Sequence, residues 1–171
     1  MKSVPDRKPG MADVIRPTDD ESRALAQSLM QTARFAALGV LLEESQPLVA
    51  RVAFGLDAQG GPVSLISDLA QHSQALRRHP VCSLLIGEPG AKGDALAHPR
   101  LSLMAEAAFV PRTDPAHAVL ADTYLHQHPK AKLYLQFSDF SFVRFTVTAA
   151  HLNGGFGKAF RLAAADLLPG G

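Results

Sequence analysis

Three side chains near the middle of the sequence have the chemistry to hold a phosphate group. Ser67 ends a predicted apolar strand, His72 lies in the first turns of the helix predicted to follow, and Arg51 lies on an earlier predicted strand. The start of a helix attracts anions through its unpaired N–H groups and its partial positive charge. A hydroxyl and an imidazole can add hydrogen bonds, and a guanidinium can bind phosphate through two parallel ones. The spacing therefore predicts a phosphate-binding corner; the alternative is that Ser67 and Asp68 only cap a surface helix while Arg51 faces solvent.

Patterns for other chemistries are weak in this sequence. The glycine-rich segment 153–157 has neither the G-x-G-x-x-G spacing of a dinucleotide loop nor the lysine of a P-loop. His126 and His128 are two residues apart near a predicted helix end, where they do not share a face, so we predict no metal site. There is no G-x-S-x-G motif, and the single cysteine, Cys82, lies in an apolar strand candidate. The sequence therefore identifies no catalytic residue.

Helix signals occur in three parts of the chain. Thr18 or Asp19 can cap a first helix, whose first turn is acidic. A short second helix is predicted over 68–79, and Pro80 ends it. The segment 114–129 opens with Asp and then Pro, which favours a third helix, and the segment that follows it can form a further helical piece.

Strand candidates occupy most of the remaining sequence. The turn at 58–61 predicts that the segments 47–57 and 62–67 form a hairpin. Most connections are short and suit antiparallel pairing, and a closed or partly closed barrel removes unpaired strand edges. The predicted fold class is therefore α+β, a six-stranded antiparallel barrel with flanking helices rather than a doubly wound sheet. The six candidates are residues 35–44, 47–57, 62–67, 81–88, 100–112 and 140–152.

Composition limits the range of functions. The 171 residues suit one domain, which we place at 18–171 after a flexible arm at 1–17. The formal net charge of +1 does not indicate a nucleic-acid partner, and no apolar stretch is long enough to span a membrane. A single cysteine is typical of a reducing compartment, so we expect a cytoplasmic protein.

Five stretches of the chain resemble a known superfamily. The order of these stretches, the spacing from His72 to Pro80 and the glycine-rich segment are similar to those of the FMN-binding split-barrel superfamily, the pyridoxamine 5′-phosphate oxidase-like proteins. The closer likeness is to the branch that includes haem-utilisation proteins. The stretches are "PLVARVAFGLD", "PVSLISDLAQHSQALRRHPVCSLLIGE", "ALAHPRLSLMAEAAFV", "YLHQHPKAKLYLQFSDFSFVRF" and "HLNGGFGKAF".

The resemblance implies a homodimeric split barrel with FMN in two grooves at the subunit interface. In the oxidases of this superfamily, an arginine on the second strand and a Ser-Arg-Lys run at the start of the helix hold the FMN phosphate. Arg51 matches the first, and the run falls on 70–72, so that His72 replaces the lysine. Arg100 matches the arginine that begins the long strand, and Leu101 stands where the oxidases have a glutamine near the flavin.

We therefore predict an FMN-binding flavoprotein that is an oxidoreductase acting on a small molecule. Its cofactor-binding residues are Arg51, Ser67, His72 and Arg100. One alternative is a haem-binding or haem-degrading protein. The iron ligand of such relatives is a histidine near or beyond the C-terminal end, and His151 is the only late histidine here. The other alternative is a flavin-binding protein without catalytic activity.

Overall fold

The computed structural model describes residues 15–168. Residues 1–14, which make up most of the predicted arm, lie outside this range, and the last part of that arm contributes a short strand. The helices are α1 (Asp20–Thr32), α2 (Gln71–Arg78) and α3 (Ala116–Gln127). The strands are β1 (Ile15–Arg16), β2 (Phe35–Leu41), β3 (Pro47–Ala53), β4 (Gly55–Leu56), β5 (Pro62–Ser67), β6 (Val81–Ile86), β7 (Arg100–Val110), β8 (Phe140–Asn153) and β9 (Ala159–Leu162).

Helix α1 begins where the sequence predicts it to begin. The Ser22 N–H donates to Asp19 Oδ1 at 2.8 Å, and the Asp19 N–H donates to Ser22 Oγ at 3.0 Å. This reciprocal cap satisfies two N–H groups that a helix start leaves unpaired. Asp19 is therefore the N-cap, and the helix buries Ala26 and Met30 against the barrel.

The six longer strands form an antiparallel barrel with a split. The strand order is β1-β9-β8-β7-β6-β2-β3, and β5 pairs with the first residues of β8 on the edge that β9 uses near the end of that strand. Every pairing is antiparallel except that of β1 with β9. β3 and β5 come together without a ladder, where Ser64 Oγ donates to the Ala53 carbonyl at 2.7 Å. The predicted α+β split barrel with flanking helices is confirmed.

The predicted hairpin between 47–57 and 62–67 forms only at its tip, where β4 pairs with β5. β3 instead pairs along its length with β2, and β5 pairs with β8. The chain leaves β3 at Phe54, whose side chain is buried and whose N–H donates to the Arg34 carbonyl at 2.9 Å. Burial of this ring turns the chain away from simple hairpin pairing.

Alternation along the strands separates the inside of the barrel from its outer face. On β7, Leu101, Leu103 and Ala105 are buried. Arg100 and Ser102, which alternate with them, point outward. The same period of two holds on β2, β6 and the second half of β8. Polar and charged side chains on these strands therefore collect on the outer face.

A second apolar cluster lies under α3. Tyr124 is fully buried there, stacks on His128 with ring centroids 4.6 Å apart and meets Phe142 edge-on at 5.3 Å. The His128 ring also bonds the Phe54 carbonyl at 2.8 Å, which joins α3 to the segment after β3. Within residues 15–168, no helix is long and apolar enough to cross a membrane.

Candidate functional site

The corner before α2 is held together by the protein's own polar groups. Ser67 Oγ donates to Asp139 Oδ2 at 3.1 Å and accepts from the Leu69 N–H at 3.2 Å. The Asp68 carboxylate accepts from Arg77 at 2.5 Å and from Ser141 at 3.0 Å. Ala70 is the N-cap of α2, and no side chain caps the helix there. Arg77 balances the charge of Asp68, but the Asp139 carboxylate remains and opposes the binding of a phosphate dianion at Ser67.

His72 lies on the first turn of α2 and is half-buried. Burial lowers the pKa of its imidazole, because a charged ring loses hydration inside the protein. The neutral ring can still donate or accept a hydrogen bond. At a given pH it carries less positive charge than an exposed histidine would.

Arg51 lies on the outer face of the barrel, where its side chain is exposed. On β3 it stands opposite Ala37 of β2, and its guanidinium carbon is 5.1 Å from the centroid of the Phe35 ring. It shares a cavity of about 390 Å³ with Arg100 of β7. The structure therefore brings Arg51 and Arg100 together, whereas Ser67 and His72 are not among the described residues that line this cavity. The full lining is Phe35, Ala37, Val49, Ala50, Arg51, Leu85, Ile86, Gly87, Glu88, Pro89, Ala95 and Arg100.

We call this space the arginine cavity. Gly87 lines it, and the φ of 97° at this residue and its closeness to β7 exclude a side chain there. A Cβ at Gly87 would lie 2.6 Å from the Pro99 carbonyl oxygen and 2.8 Å from the Arg100 Cα. Arg100 in turn donates to the Leu96 carbonyl at 3.0 Å, so the loop after β6 holds its guanidinium. Two guanidinium groups above apolar walls suit a ligand that is flat and apolar with an anionic end, and Glu88 is the one acid in the lining.

A row of outward-facing residues leads from the cavity around the barrel. We call it the outer strip, and it consists of Leu85, Ser102, His151 and Arg161, each opposite the next on β6, β7, β8 and β9. His151 is exposed because its neighbours in sequence, Ala150 and Leu152, point into the core.

His151 lies close to the arginine cavity. Ser102, its partner on β7, is two residues from Arg100. Diagonal neighbours across a strand pair are roughly 7–8 Å apart, within reach of long side chains. An imidazole that can ligate a metal therefore lies next to one of the two arginines that line the cavity.

Arg161 is the residue of this site that the sequence does not predict. The alternation of β9, with Phe160 and Leu162 buried, is visible in the sequence once the strand is recognised. Its place opposite His151 follows from the register of β8 and β9, which a glycine-rich turn sets. No spacing in a single sequence gives that register.

Comparison with known proteins agrees with this architecture. The family model described as "CREG, beta-barrel" matches residues 17–166. Over 117 residues the chain is 35% identical to the non-canonical heme oxygenase HOZ, a chloroplastic protein of Arabidopsis thaliana, in a match that covers 68% of this chain and 35% of that protein.

Solved structures extend the comparison. A heme-binding protein from Mycobacterium smegmatis is 29% identical with a TM-score of 0.77, and the match covers 90% of this chain and 61% of that one. A protein of the pyridoxinephosphate oxidase family from Clostridium acetobutylicum is 12% identical with a TM-score of 0.65, over 88% of this chain and 99% of that one, and shows the fold alone. This chain thus spans 35% of the plant protein and 61% of the mycobacterial one.

The resemblance that the sequence suggests is confirmed. The family model matches nearly all the described residues, and the barrel is that of the oxidase-like structures. The chain therefore belongs to the CREG β-barrel family, within the superfamily of pyridoxamine 5′-phosphate oxidase-like split barrels.

Proposed function

We propose that this chain binds haem on the outer face of the barrel, between the arginine cavity and His151. The observation that carries the proposal is that the exposed His151 of β8 is a diagonal neighbour of Arg100 on β7, one of the two arginines that line the cavity. The names of two relatives, a heme oxygenase and a heme-binding protein, support the same ligand.

The residues present fit the chemistry of haem. The macrocycle is flat and apolar, which matches the apolar walls formed by Phe35, Val49 and Leu85. Its two carboxylates suit guanidinium groups, and its iron suits an imidazole. When bound, haem would supply a redox-active iron. The chain's own residues would bind it, orient it and exclude water from one side.

A haem titration followed by absorbance tests this proposal. We expect wild-type protein to give a sharp Soret band with saturable binding. His151→Ala should shift the band and weaken binding, because the iron loses its protein ligand. His79→Ala is the matched control, since His79 is also exposed but lies at the end of α2. Absence of a saturable band in the wild type, or an unchanged spectrum in His151→Ala, would contradict the proposal.

FMN remains a second candidate for the same cavity. Its phosphate carries two negative charges, and the meeting of Arg51 and Arg100 in one cavity favours such a group. In that case the flavin would carry the hydride or electron chemistry, as in an oxidoreductase. A yellow purified protein with flavin absorbance, reduced by NADPH, would support this candidate over haem.

We further propose that the functional form is a homodimer. Several apolar side chains on β2, β3 and β6 are exposed on the outer face, among them Val49 at 68% and Val81 at 61%. They lie together, since Val49, Val81 and Gly39 line one shallow depression. A contiguous exposed apolar surface of this kind marks an interface. A second copy placed on it would cover the ligand beside the arginine cavity.

A further inference from the structure

We infer that a second cavity, at the edge of β8, binds a small molecule with an apolar body and one carboxylate. The cavity has a volume of about 240 Å³, and none of the described residues that line it also lines the arginine cavity. Its walls come from α1, from the turn before β5, from β8 and from the short 3₁₀ helix Ala164–Leu167. We call it the edge cavity. It is separate from the proposed haem site, and its occupancy does not require haem.

The edge cavity lies where one edge of β8 has no strand partner. The ladder with β5 ends at Arg144, and the ladder with β9 begins at Ala150. On this edge, the described part of the chain offers no strand to residues 145–149. The turn at 57–61 and Leu167 lie at this gap, because both line the cavity together with β8. The split of the barrel therefore leaves a space that side chains border but do not fill.

A buried carboxylate positions the one cationic side chain in this space. The side chain of Asp57 is only 11% exposed, and its Oδ1 accepts from the N–H groups of Gln59 and Gly61 at 3.0 and 2.8 Å. Its Oδ2 lies 3.4 Å from Arg144 Nε, which makes an ion pair. The turn thus fixes the carboxylate, and the carboxylate fixes the guanidinium at the wall of the cavity.

The N–H groups of Arg144 are not used by the protein between residues 15 and 168. Its Nε is buried and has no hydrogen-bond partner there, and its terminal nitrogens donate to none of these residues. Buried polar atoms without a partner are rare, because they lose hydration and gain no hydrogen bond. The side chain as a whole is 38% exposed and lines the cavity, so a ligand can reach its terminal nitrogens. The guanidinium is therefore a fixed donor group that lacks an acceptor.

Charge and shape select the class of ligand. A guanidinium can donate two parallel hydrogen bonds to a carboxylate. Because Asp57 already offsets one positive charge, a group with one negative charge is favoured over a phosphate with two. Apart from Thr146, the other side chains of the lining are apolar, which suits a hydrocarbon body. The larger ones are Met30, Phe145, Val147, Leu167 and Leu168.

The size of the cavity limits the ligand further. Its volume lies below the roughly 300–1,000 Å³ of sites that hold drug-sized molecules. A short or medium-chain fatty acid combines a small apolar body with a single carboxylate. Each additional buried CH₂ should tighten binding by about fourfold until the space is filled.

Octanoate is the probe, and octanamide is its neutral counterpart of the same length. Both are titrated by calorimetry into wild-type protein, into Arg144→Gln, and into Arg51→Gln, which removes one guanidinium from the arginine cavity. Ala164→Phe fills the edge cavity from a half-buried residue of its wall. Ala165→Phe is the matched control, because Ala165 is the next residue, is exposed and is not in the lining. Thermal unfolding of each variant checks that the fold is retained.

We expect Arg144→Gln to weaken octanoate binding by about tenfold to a hundredfold, the range for a hydrogen bond to a charged group. Octanamide binding should change little in this variant. Ala164→Phe should weaken both ligands, because its ring occupies their space, whereas Ala165→Phe and Arg51→Gln should match wild type.

Methyl NMR of the methionines locates the bound octanoate independently. Met30 lines the edge cavity, so its methyl signal should shift as octanoate is added. Met104 lies on β7 and is not in the lining, so its signal should stay.

Four results would overturn the inference. They are no saturable octanoate binding by the wild type, wild-type affinity in Arg144→Gln or Ala164→Phe, equal losses of octanoate and octanamide in Arg144→Gln, and an unmoved Met30 signal. A loss of octanoate affinity in Arg51→Gln but not in Arg144→Gln would place the carboxylate in the arginine cavity instead. If Arg144→Gln does not fold, the comparison of Ala164→Phe with Ala165→Phe and the Met30 signal decide. All of these measurements are made without haem, so they stand apart from the test of the proposed function.

Discussion

Arg51 and Arg100 face the same cavity although two strands, β2 and β6, lie between the strands that carry them. Ala37 and Gly87 line the cavity between them, while the Arg100 guanidinium donates to the Leu96 carbonyl and the Arg51 guanidinium lies over the Phe35 ring. Like charges are costly to bring together without an anion. This pair is therefore the strongest sign in the structure that the outer face binds a negatively charged ligand.

Arg51→Gln should weaken FMN binding by about 1.5–3 kcal/mol, the cost of losing a hydrogen bond to a charged group. Riboflavin, which lacks the phosphate, should bind wild type and variant equally. Fluorescence titration of both flavins measures the difference, with Arg78→Gln as the control because Arg78 pairs with Glu43 outside the cavity. Equal loss for FMN and riboflavin would show that Arg51 does not contact the phosphate.

The Ser67→Ala variant tests whether the Ser67 hydroxyl binds a phosphate ligand or only stabilises the fold. Because the Ser67 hydroxyl bonds to Asp139 and to the Leu69 N–H, we expect its loss to lower the free energy of unfolding by about 1 kcal/mol. Affinity for FMN or haem should not change. Urea unfolding and ligand titration measure the two quantities. A loss of FMN affinity without a loss of stability would instead support the predicted role of Ser67 in phosphate binding.

His72 should make stability depend on pH. Burial lowers the pKa of its imidazole in the folded state, so the unfolded chain binds a proton more readily. The contribution of His72 is therefore fully present above the ordinary histidine pKa and is lost as the pH falls through that value towards the lower folded one. Urea unfolding at pH 8 and pH 5.5 should show a smaller loss for His72→Gln than for wild type. Identical losses would mean that the imidazole is not buried in solution.

Gly87→Ala should damage both the fold and the site. The added Cβ meets the backbone of Pro99 and Arg100, and φ at this residue is 97°. We expect a loss of about 1–3 kcal/mol in the free energy of unfolding, as for other strained backbones, together with weaker ligand binding through a displaced Arg100. Gly154→Ala is the control, because its nearest contacts are at 3.4 Å and its φ is not in the left-handed region. Wild-type stability in Gly87→Ala would show that the loop can move aside freely.

Val49→Asp tests the dimer. A carboxylate on this exposed apolar surface should not harm the monomer, because the side chain already faces solvent. It should shift the protein from dimer to monomer in light scattering after gel filtration. Gln46→Asp, at another exposed residue just before β3, is the control. A monomeric wild type would contradict the proposed dimer, and a dimeric Val49→Asp would place the interface elsewhere.

The sequence predicts the barrel well because its strands alternate. On β7 and β8 the period of two shows which residues point inward, and turn residues mark most strand ends. The same patterns do not predict which strand pairs with β3. The chain leaves β3 at the buried Phe54, and β3 pairs with β2 and not with β5. Arg51 then lines a cavity with Arg100, and Ser67 is not among the described residues that line it. Which polar residues share a surface depends on strand register and on the path of the chain, and neither is visible in local patterns.

The polar corner shows a second limit of sequence reasoning. Ser67 and His72 have suitable chemistry and spacing, but Asp139, far along the chain, accepts the serine's hydrogen bond. A motif identifies groups that can bind a ligand. It does not tell whether the rest of the fold has already engaged them.

β8 pairs with β7 from Phe142 to Asn153, with β5 near its start and with β9 near its end. Its amides that donate to these three strands should therefore exchange with deuterium only when the whole domain opens. The backbone of such a strand is held in place, so His151 cannot shift towards a metal ion that is bound out of line with its imidazole. Discrimination among tetrapyrroles of different shape would then come from the stiffness of the scaffold and not from closure of a loop.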